Sequence, residues 1–126
     1  MAKRRKIWTA APEAEDYAAA RHYLALLCSP EIAGKLTQAM RRQPAVVYAA
    51  KDLLRASGLD LLSRSESHVQ SDLKRLKKGK RLSPVLLLRG NIAAGHPLVV
   101  VDGYHRLCAG YYYDEDLPVA CRIAQL

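Results

Sequence analysis

Phenylalanine is absent from the 126 residues and tryptophan occurs once, so leucine, valine, isoleucine and the seven tyrosines must supply the bulk of any core. Cysteine is scarce: Cys28, Cys108 and Cys121 lie far apart and form no C-x-x-C pair. The odd count and wide spacing exclude a disulfide framework and point to a reducing compartment. No metal-ligand spacing is recognisable among these thiols and the four histidines, so no metal held by a spacing motif is expected. No apolar run is long enough to cross a bilayer, and the basic start (Lys3, Arg4, Arg5, Lys6) is not followed by the apolar core of a secretion signal. A cytoplasmic setting without a membrane partner is expected. The glycine-rich phosphate motifs G-x-x-x-x-G-K-[ST] and G-x-G-x-x-G are also missing, so any phosphate site is of another build.

Acidic residues are outnumbered, 12 against 20 lysines and arginines, giving a formal charge of +8. That balance suits a partner carrying phosphates. The length suggests one domain able to bury a core without staples.

Residues 1–58 read as a helical segment. A first helix is expected near Pro12, with Glu13, Glu15 and Asp16 favouring its positive end and Tyr17, Ala20, Leu24 and Leu27 forming its packing stripe. Ser29-Pro30-Glu31 opens a second, with Ile32, Leu36 and Met40 facing inward. The spacing predicts a third over 46–56, closed by Gly58. These helices carry no catalytic spacing. They would cover the second half of the chain or form a homodimer surface.

A fourth helix is expected from Glu66 or Ser67, with Val69, Leu73 and Leu76 inward. Six of the eight positions 74–81 are lysine or arginine, the densest charge in the chain. They form either a solvated helix end or an electrostatic rim for a phosphorylated ligand or nucleic acid. Val85 to Leu88 and Leu98 to Val101 read as two strands of a hairpin, buried on both faces. A helix over 104–113 and a strand over 117–123 complete an α+β pattern: a small mixed sheet packed with helices.

The chain's sharpest feature joins the second of these strands to the fifth helix. Val99, Val100 and Val101 run into Asp102-Gly103-Tyr104-His105-Arg106. A strand that hands directly to a helix puts unpaired N–H groups and a partial positive charge at the corner, which favours an anion. Arg106 adds a planar fork for phosphate, or it pairs with the acidic loop 114–116 or with Asp72. Asp102 is either the helix cap or a base or metal ligand beside a bound phosphate. Gly103 permits the turn and a close ligand approach, and His105 is a phosphate contact or proton carrier. Cys108 reads as a buried, inert thiol.

Taken in order, the helix ending at Gly79, Leu82-Ser83-Pro84-Val85, the strand ending in Asp102-Gly103, the Tyr104-His105-Arg106 helix start and the closing Leu117-Pro118-Val119 strand resemble the ParB/sulfiredoxin superfamily over residues 59–126. The resemblance implies a site for a nucleoside di- or triphosphate, of the ATP or CTP class, with Mg²⁺. It puts Gly103, Tyr104, His105 and Arg106 on the phosphate-binding turn, Asp102 at its edge, and Lys80 and Pro84 near the rim; Asp102 and His105 would be the catalytic residues, with Asp102 or Glu66 as base or metal ligand. A phosphotransferase or nucleoside triphosphate hydrolase is the enzyme this implies. A nucleotide sensor, or a nucleic-acid binder using residues 74–81, is the alternative. Tyr104 stands where sulfiredoxins carry cysteine, so their reductase chemistry is not expected. No helix-turn-helix domain follows, so neither is site-specific DNA binding. On this reading Arg106→Ala would abolish nucleotide binding and leave the fold intact.

Overall fold

The continuous aliphatic run Val85–Leu88 forms strand β2, every residue of which is buried. A strand buried on both faces needs a layer on each side, and the chain provides two. The computed structural model describes residues 6–125. In chain order the elements are α1 (Ala14–Leu24), α2 (Pro30–Arg42), β1 (Val46–Ala49), α3 (Ala50–Ser57), α4 (Ser67–Lys77), β2, β3 (Val99–Asp102), α5 (Tyr104–Tyr113) and β4 (Pro118–Ala124). A short 3₁₀ turn, Ile92–Ala94, lies between β2 and β3. The four strands form one mixed sheet in the order β1-β4-β2-β3. β2 runs antiparallel to β3 and parallel to β4, and β4 runs antiparallel to β1. The protein is of the α+β class.

Alternation along β2 divides the interior. Val85 and Leu87 join a core with Leu53, Leu54, Val69, Leu73, Leu76, Leu107 and Val119, from α3, α4, α5 and β4. Leu86 and Leu88 point the other way, into a core with Tyr17, Ala20, Leu24, Leu36 and Met40 from α1 and α2. The first two helices therefore cover one face of the sheet. Among the described residues no helix is long and apolar enough to cross a membrane.

The expected helix over 46–56 is corrected. Val46–Ala49 is a strand on the sheet edge, and the helix begins only at Ala50. Two β-branched residues and a tyrosine favour the pleated sheet, and β4 offers them a partner. Gly58 does close α3, at φ 68°. Ile32 and Leu27, expected inward, are exposed. The buried side of α2 is Ala33, Leu36, Thr37 and Met40, and Leu27 lies beyond the end of α1. Lys3, Arg4 and Arg5 lie outside the described residues. Just after them the chain is fixed: Leu82 donates its N–H to the Ile7 carbonyl and Thr9 donates to the Leu82 carbonyl.

Candidate functional site

Strand β3 ends at Asp102, and α5 starts at Tyr104 with Gly103 between them as the N-cap residue, at φ 105°. A left-handed residue is needed to turn the chain this sharply, and glycine adopts it without a Cβ penalty. The space a Cβ would take is already filled. A carbon built there would lie 2.5 Å from Val85 Cγ1 and 2.8 Å from Arg106 Nη2. Gly103 thus accommodates the protein's own side chains on that side, where the sequence suggested close ligand approach.

Arg106 reaches back from the first turn of α5. Its Nη1 donates to Asp16 Oδ1 at 3.0 Å and to Ser83 Oγ at 2.9 Å, and its Nη2 donates to Asp102 Oδ2 at 2.9 Å. All three charged side chains are largely buried. Asp102 was read as either the helix cap or a base or metal ligand. It accepts from Arg106, and among the described residues no side chain caps α5. Nor does Arg106 pair with the 114–116 loop or with Asp72; its partners are Asp16, from α1, and Asp102. Burial pushes the Asp102 carboxyl up, against the pull of Arg106. Burial also acts on Asp16, but the hydrogen bond from the Glu13 N–H and the Arg106 charge outweigh it and hold that carboxyl low.

This corner floors a cleft of about 440 Å³ lined by Thr9, Glu13, Glu15 and Asp16 at one end and by His68, Asp72, Arg75, Arg81, Asp102, Gly103, His105 and Arg106 around the rest. Among the described residues, neither Arg75 nor Arg81 lies within ion-pair distance of a carboxylate. Arg75 Nη2 donates to the Arg81 carbonyl at 3.3 Å, and both arginines are exposed, with charges that no close carboxylate offsets. Tyr104 is not part of its wall: its hydroxyl donates to the Asp60 carbonyl and its ring packs on the α3–α5 core. Lys80 does not line it either; it lines an adjoining groove with Lys74 and Lys78, and Arg75 borders both. Cys108 and Cys121 are buried, and burial raises both thiols, that of Cys121 to about 11.

Next to His68 and His105 of the cleft, Glu66 caps α4, accepting from the Val69 N–H at 2.9 Å. Its other oxygen lies 3.0 Å from His68 Nδ1. These bonds, the backbone one foremost, pull the Glu66 carboxyl from 4.5 down to about 2. A carboxyl whose pKa falls on folding adds stability above its unfolded value and loses it as pH drops through its folded one. Glu66→Gln is therefore expected to cost stability at neutral pH. The gap from the wild type should shrink between about pH 4.5 and pH 2, as read by the thermal midpoint across an acid titration. A gap that stays constant down to pH 2 would show that the cap does not depend on charge.

Comparisons with protein-family models, curated proteins and solved structures match nothing. Function must therefore be argued from this cleft. Of the residues read from the sequence, the structure gathers Asp102, Gly103, His105 and Arg106 at it and leaves Tyr104 and Lys80 outside. Asp16 was read only as a helix-start acid, and Arg75 and Arg81 only as part of a basic run.

Proposed function

We propose that the cleft binds the phosphates of a nucleoside di- or triphosphate, carried with Mg²⁺, in a protein of the ParB/sulfiredoxin type. One observation carries this reading. Arg75 and Arg81, free of carboxylate partners among the described residues, meet His105 and the uncapped start of α5 in a single cleft. Unpaired N–H groups at a helix start and guanidinium forks are the donors that phosphate oxygens take.

The cleft's carboxylates favour Mg²⁺ as a companion. Arg106 offsets much of the charge of Asp16 and Asp102, and Glu13, Glu15 and Asp72 remain beside two arginines. A bare polyphosphate would meet repulsion there. Mg²⁺ takes carboxylate and phosphate oxygens together, so the donor set fits it. In the enzymatic form, a phosphotransferase or nucleoside triphosphate hydrolase, His105 contacts a phosphoryl oxygen and Asp102 acts by orienting Arg106.

A thermal-shift panel of millimolar nucleotides with Mg²⁺ tests this. A shift is expected with at least one nucleotide. Arg75→Ala and Arg81→Ala should each weaken that binding about tenfold or more, as loss of a charge-assisted hydrogen bond does. Lys80→Ala should change it little. Release of inorganic phosphate in the same samples separates an enzyme from a sensor. No shift with any nucleotide sinks the reading. Binding to an oligonucleotide that collapses with added salt would instead assign the function to the Lys74, Lys78 and Lys80 groove.

A further inference from the structure

Two imidazoles and a carboxylate meet where the starts of α4 and α5 come together. Glu66 Oε1 is 3.0 Å from His68 Nδ1, and Glu66 Oε2 is 3.9 Å from His105 Nε2. The imidazole rings are tilted by 40° with centroids 4.7 Å apart. One ligating atom from each of the three residues falls within 4.8 Å of the other two.

Two ligands about 2.1 Å from one ion are themselves about 3.0–3.4 Å apart. The Glu66–His68 edge already has that length. The His105 edge closes by side-chain rotation, for which both histidines have room: their side chains are 72% and 45% exposed. The backbone on either side is rigid, because Glu66 is the N-cap of one helix and His105 lies in the first turn of another.

We propose that Glu66, His68 and His105 form a site for one divalent transition-metal ion of the zinc or cobalt class. Two nitrogen donors and one oxygen select such ions over Mg²⁺, which prefers oxygen throughout. The partial positive charges of two helix starts oppose a cation there. The negative charge of Glu66 offsets them, and Asp72 lines the same cleft as both imidazoles. Three protein ligands leave further coordination positions open. Because His68 and His105 also line the cleft, those positions face its interior, toward whatever oxygen-bearing ligand it holds.

The site shares His105 with the nucleotide reading, but its test adds metal alone. Co²⁺ is titrated into the chelator-treated full chain and read by its visible d–d absorption, and Zn²⁺ is followed by calorimetry. One equivalent is expected to bind in the micromolar range. His68→Ala and His105→Ala should each weaken binding about tenfold or more. Circular dichroism should show both variants folded, since the two side chains are solvent-facing. His22→Ala and Cys28→Ser should bind as the wild type does. Absence of the cobalt band, binding retained in His68→Ala, or loss of binding in Cys28→Ser overturns the proposal. A chain that binds cobalt but no nucleotide keeps this site and ends the nucleotide reading; one that binds nucleotide but no cobalt does the reverse.

Discussion

Arg106→Ala is expected to lower the unfolding free energy by about 3–5 kcal/mol, the usual cost of removing one partner from a buried ion pair. The loss comes mainly from what stays behind. Asp16 and Asp102 approach the same guanidinium from different elements, at 3.0 and 2.9 Å, and both are largely out of water. Without Arg106 two carboxylates face each other with no cation between them. For a protein whose total stability is about 5–15 kcal/mol, that is a large fraction. Arg106→Lys should recover little, because one ammonium cannot span two acceptors that separate nitrogens now reach. Adding Asp16→Asn and Asp102→Asn to the alanine variant should recover a substantial part. Urea denaturation measures all four proteins. A loss under about 1 kcal/mol for Arg106→Ala would mean that water replaces the guanidinium. The expectation that this substitution abolishes binding while sparing the fold is therefore withdrawn, and Arg75 and Arg81 become the informative probes of the cleft.

Gly103→Ala should be destabilising by about 2–5 kcal/mol, from two separable causes. An alanine at φ 105° bears a conformational cost of about 1–2 kcal/mol. The Cβ placed 2.5 Å from Val85 Cγ1 adds overpacking, which costs about 1–3 kcal/mol. Only the second cause involves Val85. The double variant Gly103→Ala with Val85→Ala should therefore lose less than the sum of the two single losses. Strict additivity in denaturant melts would show that the backbone, not Val85, absorbs the new carbon.

Most of the fold was readable because its signals are local. Ser29 and Pro30 start a helix, Gly58 ends one, and the leucines of β2 are continuous. β1 was hidden because no turn residue separates Tyr48 from the helix that starts at Ala50; four strand residues merged into one helical run. Only β4, about 70 residues later, decides their conformation. The site divides in the same way. The turn over 102–106 is contiguous and could be found. Its electrostatic partner Asp16 lies 90 residues before Arg106, and nothing in the local pattern joins them. Glu66, His68 and His105 likewise meet only through the packing of α4 on α5, so no spacing rule among histidines could have gathered them. Lys80 shares the charge run of Arg75 and Arg81 but lines a different groove, a division that the run of charge alone does not show.

The order of strands also sets when this sheet can form. β4, the final strand in sequence, is not at an edge: it lies between β1 and β2 and hydrogen-bonds to both. Until residues 118–124 are in place, β1 has no neighbour and the two sides of the sheet are unconnected. Such non-local pairing is slow, because loop-closure entropy is lost before the contacts form. Folding is thus committed late, and a nascent chain that stops before Pro118 exposes two unpaired strand edges where the finished protein has a continuous sheet.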